Sequence, residues 1–411
     1  MATSVTSIDI VPSIGTSNVI SRTTFRITSI DLLRGIVMII MALDHTRDFY
    51  HIAAVTDDPM NLNTTTIPLY FTRWITHFCA PTFVFLSGMS AYLASQKKSS
   101  AEASIFLINR GIWLIFVEMV IVSFGVNFDV HFHFIMWQVI WAIGCSMIVL
   151  GLIRQLPYRW TLVIGCILFF GHDLFNYVHP PNPGTSADII TVLFTAFANS
   201  LPLDSNHLII DLYAILPWTG VMLIGYGIGY WFKKEYPAEK RKRNLLVCGL
   251  SMIALFITLR FINSYGDPSP KLALGGWKGV LSFLNASKYP PSLMYCCMTL
   301  GPSCVFLALS ENIKAGWSKI VSVYGKVPFF YYILHFYLLH LLLIVVFFIT
   351  GHTTAQIRDP NSFALFRPAN WGFNLWGTYA VWLGVVASLY FPCRWFYRYK
   401  MTHGQWWLKY L

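Results

Sequence analysis

From residue 29 onward the chain alternates long apolar runs with short polar connectors. The runs cover residues 29–51, 71–95, 106–127, 133–152, 160–176, 209–232, 244–263, 291–311, 327–349 and 373–393. A run of about 17 to 25 residues lets an α-helix cross a hydrocarbon core of about 30 Å, so the pattern predicts an all-α polytopic membrane protein with about ten transmembrane helices. A shorter run, TVLFTAFA at 191–198, cannot span and reads as an interfacial or re-entrant piece. No period of about 20 to 50 residues marks a repeat array. Nor do two halves of the chain match, as they do in many secondary transporters.

The positive charges orient these runs. Arg22 and Arg26 fall on one side, followed there by Lys97, Lys98, Arg110, Arg154 and Arg159, then the run KKEYPAEKRKR at 233–243. Lys314, Lys319, Lys326, Arg394, Arg398, Lys400 and Lys409 join them, while the alternate loops 52–70, 128–132, 177–208, 264–290 and 350–372 are poorer in Lys and Arg. Positive connectors stay in the cytoplasm, so both termini are expected there. The Ser/Thr-rich stretch 1–25 reads as a disordered cytoplasmic tail without a cleavable signal peptide. Residues 26–411 read as a single transmembrane domain.

Composition agrees with this placement. The 411 residues are 56% hydrophobic and 11% charged, with mean hydropathy +0.57, where a soluble chain is about a quarter charged. The net charge of +11 sits in membrane connectors, which argues against nucleic acid as a partner and for the lipid bilayer. All eight cysteines lie in or beside apolar runs and none forms C-x-x-C. No zinc or redox motif is signalled, and no metal is expected.

Ionisable side chains within these runs mark candidate chemistry, because they are costly in a bilayer. The first run, RITSIDLLRGIVMIIMALDHTRDFYH at 26–51, opens with Asp31 and Arg34 and closes with Asp44, His45, Arg47, Asp48 and His51. Helical spacing puts Asp44, Arg47, Asp48 and His51 on one face, with His45 about a quarter-turn aside. At 1.5 Å per residue Asp44 stands roughly 20 Å above Asp31, near the outer surface. Carboxylates beside imidazoles suit proton transfer: one holds a histidine tautomer while that histidine takes a proton from an attacking amine or hydroxyl. Asp31 and Arg34 read either as a buried ion pair or, for Arg34, as a cation meeting an anionic ligand from the cytoplasm.

In the second run, RWITHFCAPTFVFLSG, Arg73 and His77 share a face. Pro81, four residues beyond His77, removes the hydrogen bond to the His77 carbonyl and predicts a kink. The motif KYPPSLMY at 288–295 presents Lys288, Tyr289 and Ser292 at the outer boundary, or simply opens a helix. In the ninth run Tyr331 and His335 are an i, i+4 pair, read either as lining a route from the cytoplasm or as a structural contact. Glu118 within LIFVEMVIVSF, Gln138, the Trp137–Trp141 pair and Asp211 are further polar or aromatic features of the apolar runs.

The motifs SIDLLRG, DHTRDF, PTFVFLSG, KYPPSL and GKVPFFYYILH, in this order, resemble the heparan-alpha-glucosaminide N-acetyltransferase family of transmembrane acyltransferases and its bacterial relatives. The resemblance implies a multispan enzyme that takes acetyl from cytoplasmic acetyl-CoA and gives it to an amino sugar or cell-envelope glycan across the membrane, in a bacterial inner membrane. The family's loop histidine corresponds best to His51, with His45 and His77 as alternatives. Asp44 and Asp48 would orient the histidine, and Arg47, Arg73, Lys288, Tyr289 and Ser292 would contact the acceptor or the developing oxyanion. Arg34, Tyr331 and His335 would lie along the acyl-CoA arm. A homodimer is left open by small-residue helix faces. The competing reading is a secondary transporter or permease that uses the same buried ionisable groups.

Overall fold

A computed structural model describes residues 27–267 and 275–409; the expected tail, residues 1–25, lies outside the described residues. The first helix, α1 (Thr28–Tyr50), is buried along most of its length and packs against elements from both halves of the chain. Its charged residues therefore face protein rather than lipid, which is the setting in which such groups are tolerated. Close crossing requires glycine at two points. A Cβ at Gly35 would collide with the Val321 carbonyl, and one at Gly325 with the Asp31 carbonyl.

The next helices are α2 (Ile67–Thr76) and α3 (Cys79–Ser95), broken at His77 and Phe78. Then come α4 (Ser100–Val117), a π-helical turn at Glu118–Val122, and α5 (Ser123–Asn127). Ser99 and Glu102 form a capping box that starts α4. Helix α6 (Val139–Ile153) is followed by α7 (Tyr158–Gly171), α8 (Phe175–Val178), α9 (Ile215–Gly229) and α10 (Ala238–Ile262). The chain continues through α11 (Gly276–Leu284), α12 (Leu293–Ser310), α13 (Gly316–Lys326), α14 (Pro328–Ile349) and α15 (Leu375–Thr402).

Among the described residues, eight helical stretches are long and apolar enough to cross a membrane: Ile67–Ser95, Ser100–Asn127, Tyr158–Val178, Ile215–Phe232, Ala238–Ile262, Leu293–Ser310, Pro328–Ile349 and Leu375–Thr402. The protein is thus an all-α polytopic integral membrane protein. The other two runs read as spans are α1, with its polar cluster, and the 15-residue apolar α6.

Two expected spans start later than their apolar runs. Residues 134–137 form β1 (Phe134–Trp137), and a three-stranded sheet of order β1-β3-β2 joins it to β2 (Asn199–Pro202) and β3 (Leu208–Asp211). β1 runs parallel to β3 and β2 antiparallel to it. Backbone groups outside a helix must find partners elsewhere, and the loop 177–208 supplies them. Pro217 in the first turn of α9 suits a helix start there, since proline has no N–H to offer. The run at 191–198 forms one π-helical turn, Thr191–Thr195, feeding β2. Loop 264–290 contains α11, whose Leu281 packs with Met60 and Leu62 of the α1–α2 connection and Tyr70 of α2.

Candidate active site

The polar face of α1 is assembled by helical spacing and closed by α2. Arg47 donates to Asp44 at 3.2 Å, three residues back, and to Asp48 at 2.6 Å. Arg73 of α2 donates to the other Asp44 oxygen, so the Asp44 carboxylate bridges two guanidiniums from two helices. Lys288, from the loop before α12, lies close enough for its charge to act on Asp44 and His45. Two carboxylates therefore share three cations, with Asp48 the more accessible at 34% of its side chain against 10% for Asp44.

His45 leaves that face, as its quarter-turn offset requires, and meets α14. Its ring lies 4.4 Å from Phe336 and 5.2 Å from His335, centroid to centroid, while Nδ1 is 4.0 Å from the Asp48 carboxylate. The His335 tautomer follows from its backbone neighbour. Nδ1 faces the Tyr332 carbonyl at 2.5 Å, and a carbonyl only accepts, so the proton sits on Nδ1. The buried Nε2 then carries a lone pair with no protein partner. Asp48, His45 and His335 form a line from a half-exposed carboxylate to an enclosed acceptor.

The break between α2 and α3 sets the opposite wall. Pro81 cannot donate to the His77 carbonyl, and the Tyr295 hydroxyl of α12 donates to it instead at 2.8 Å. The His77 ring stands edge-on to Tyr295 at 5.4 Å, with its buried Nδ1 unpartnered within the protein. Lys288 lies 4.9 Å from the Tyr289 ring and 5.7 Å from the Tyr213 ring. Tyr213 and Tyr289 meet edge to face at 5.4 Å. The KYPPSLMY segment thus delivers an ammonium and a phenol to the Asp44 cluster.

Other expected residues stand apart from that grouping. His51 ends α1 rather than extending its face: its carbonyl accepts from Arg367 at 2.7 Å, and its Nδ1 accepts from the Ala53 N–H at 3.3 Å. Burial, with Arg47 and Arg367 nearby, holds its imidazole below the ordinary histidine range. Ser292 caps α12 by accepting from the Tyr295 N–H at 3.1 Å. Arg34 ties three helices together, reaching Asp31 and the Gly325 carbonyl at 3.3 Å and the Ser90 hydroxyl at 2.9 Å. Tyr331 stacks on His335 at 5.7 Å.

Several contributors carried no assignment in the sequence. Tyr295 lies inside KYPPSLMY, and Tyr332 beside Tyr331 in FFYYILH. Arg367 is fully buried in the loop 350–372 and donates to the carbonyls of Pro368, Trp371 and His51. Its only sequence signal is a lone charge within FALFRPANWG. At Glu118 the π turn places a carboxylate oxygen 3.0 Å from the Gln138 N–H at the start of α6. Such π turns recur at functional sites. Trp137 and Trp141 stack at 3.9 Å.

The grouping offers a proton acceptor in His45 or His335, carboxylates to orient an imidazole, and N–H and O–H donors from Arg73, Lys288 and Tyr289 toward developing negative charge. No cluster of three or more His, Cys, Asp or Glu suited to a metal occurs among the described residues. Comparison with curated proteins finds none that matches. Residues 26–261, more than half the chain and all of α1 to α9, match the family described as heparan-alpha-glucosaminide N-acetyltransferase, catalytic. With the motifs of α1 and the Pro81 break inside that match, the chain belongs to this catalytic family of polytopic acyltransferases.

Proposed function

We propose that this protein moves an acetyl or other acyl group from cytoplasmic acyl-CoA to an amino sugar or envelope glycan on the outer side of the membrane. The observation that carries the reading is the contact of His45 with Asp48 and His335 beside the Asp44–Arg73 bridge, in a helix bundle of acyltransferase family. In this reading residues 26–411 form one transmembrane domain. α1 and α6 join the eight apolar stretches to make ten spans with both termini cytoplasmic, which the positive-inside rule supports. The membrane is a bacterial inner membrane.

His45 is the histidine we assign to the acceptor. It touches His335, lies nearest the Asp48 carboxylate and sits within reach of the charges of Arg73 and Lys288. The acceptor's amine or hydroxyl attacks the thioester carbonyl as His45 takes its proton. Arg73, Lys288 and Tyr289 stabilise the oxyanion, and collapse of the tetrahedral intermediate breaks the C–S bond. His335, whose Nε2 lone pair faces the interior, relays the proton to the departing CoA thiolate. Acyl-CoA reaches this point from the basic cytoplasmic face, along the side of α1 that carries Arg34 and with Tyr331 and His335 flanking its arm. Asp44 and Arg47 hold the face of α1, while His77 and Ser292 support the walls through the α2–α3 break and the cap of α12.

The test is transfer by purified protein in proteoliposomes. Labelled acetyl-CoA supplied at one face should yield acetylated product from a panel of amino sugars at the other. Uptake of a solute against its gradient without acyl-CoA dependence would replace this reading with transport.

A further inference from the structure

A cavity of about 320 Å³ lies at the end of the bundle away from the Asp44 cluster. It opens between the start of α4, the turn from α6 to α7, and Tyr226 of α9. Tyr226 is eight residues beyond Trp218, about 12 Å along the helix, and Trp218 touches the Tyr213 wall of the candidate active site. The cavity is thus distinct from that site.

Its chemistry has one sign. Arg154 is the charged residue in the lining, and no carboxylate lines it among the described residues. Arg154 donates to the Ser100 carbonyl at 3.0 Å and to the Ser100 hydroxyl at 3.3 Å, and shares the lining with Tyr226. The nearby Glu102 is engaged with the Ser99 N–H at 2.9 Å. Helices α4 and α7 begin at the cavity and α6 ends there with Arg154 as its C-cap, so the helix dipoles offset in part and Arg154 carries the charge. Lys233 supplies a second cation, held over the rings of Tyr92 at 5.6 Å and Tyr230 at 5.0 Å. Both tyrosines belong to an aromatic wall that includes Tyr158 and Tyr226. Leu156 in the lining and Trp160 near it are exposed, as expected where the protein meets the bilayer boundary.

We propose that this cavity binds a phosphate group, with Arg154 as the principal contact, Tyr226 and Ser100 as hydroxyl partners, and Lys233 as a flanking charge. A guanidinium lining a cavity without carboxylates suits a phosphate oxyanion. The phosphate belongs either to an anionic lipid headgroup or to a soluble nucleotide, and the site stands whether or not the acyl-transfer reading holds.

The experiment compares full-length wild type, Arg154→Gln, Arg154→Lys and Tyr226→Phe, after circular dichroism and gel filtration have shown which variants fold. Native mass spectrometry measures retention of phosphatidylglycerol against phosphatidylcholine. Thermal shift measures binding of adenosine 3′,5′-bisphosphate and inorganic phosphate. Wild type should bind one of these anionic probes at least about tenfold better than Arg154→Gln, with a smaller loss in Arg154→Lys and Tyr226→Phe. Arg154-dependent phosphatidylglycerol retention assigns the lipid source, and Arg154-dependent binding of the bisphosphate assigns the soluble one. Equal binding of every probe by wild type and all folded variants would overturn the proposal and leave Arg154 as a tie to the start of α4. If Arg154→Gln does not fold, unchanged binding in both Tyr226→Phe and Arg154→Lys has the same force.

Discussion

The Tyr295 hydroxyl donates to the His77 carbonyl at 2.8 Å, at the one backbone acceptor that Pro81 strips of its helical partner. Tyr295→Phe keeps the ring and leaves that buried carbonyl unsatisfied, at a cost of about 1 to 3 kcal/mol. The α2–α3 break should loosen, and with it the orientation of His77 and Arg73. We expect a lower melting temperature in detergent and slower acyl transfer. A Tyr295→Phe protein with wild-type melting and turnover would remove this contact from the account.

Asp44 and Arg73 give a sharper energetic test, because their pairing joins α1 to α2 with little solvent around it. Removing one member of such a buried pair strands the other and costs about 3 to 5 kcal/mol. Asp44→Asn leaves Arg73 and Arg47 without their shared carboxylate, while Arg73→Leu removes one of the two guanidiniums that Asp44 bridges. The double variant should therefore be less destabilised than the sum of the two singles. Strictly additive losses in a double-mutant cycle would show that the pair is not coupled in the folded protein.

These two contacts were legible in the sequence to different degrees. Proline four residues after His77 announces a freed carbonyl by itself, whereas the residue that takes it lies 218 positions away. Helical spacing placed Asp44, Arg47 and Asp48 on one face, since that relation is local. It could not show that His45 faces His335, because the rotation of α14 against α1 depends on packing with no periodic signature. His51 was expected on the same face, yet the helix ends at Tyr50 and Arg367 takes the His51 carbonyl. The strands were hidden for a similar reason. FIMW and LIID are apolar enough to extend their helices, and only mutual pairing makes them extended.

Asp211 makes the fold pH-dependent in a predictable direction. It lies outside the helices at the end of β3, fully buried, accepting from the Tyr213 N–H at 3.3 Å with its other oxygen unpartnered. Burial pushes its carboxyl up to about 7. In the unfolded chain the same group ionises near about 4, so between about pH 4 and 7 the folded state holds the extra proton. Stability should fall as pH rises through that window, on the order of 1.4 kcal/mol for each pH unit crossed, and level off above it. Asp211→Asn should flatten this part of the profile and melt higher than wild type at pH 8. Parallel melting curves for the two proteins from pH 5 to 8 would contradict the assignment.

Arg367 ties the loop 350–372 to the end of α1 through the His51 carbonyl and braces the loop itself through the Pro368 and Trp371 carbonyls. A lysine cannot reproduce that fork, since its ammonium is a single point donor on a flexible stem. Arg367→Lys should release the loop locally without unfolding the bundle, because the apolar helix packing lies elsewhere. Limited proteolysis should then cut within 350–372 several times faster than in wild type, whereas His51→Ala, which keeps the backbone carbonyl, should be cut at the wild-type rate. Wild-type cleavage rates in Arg367→Lys would mean that the loop is held by its other contacts.

The three histidines can be separated by substitutions that keep different parts of their bonding. His335→Asn retains a side-chain N–H able to reach the Tyr332 carbonyl while deleting the Nε2 lone pair, so it should fold and still bind acyl-CoA. Proton transfer contributes about 10² to 10⁴ in rate, and both His45→Ala and His335→Asn should lose turnover in that range. His51→Ala should lose far less, because its ring points to the end of α1 and its carbonyl bond to Arg367 survives. Asp48→Asn should fall between, with a shifted pH–rate profile, since it changes the charge beside His45 and leaves the imidazole in place. A His51→Ala protein as inactive as His45→Ala would move the acceptor chemistry to the end of α1. Loss of acyl-CoA binding in His335→Asn would make His335 a donor-binding residue in place of a proton relay.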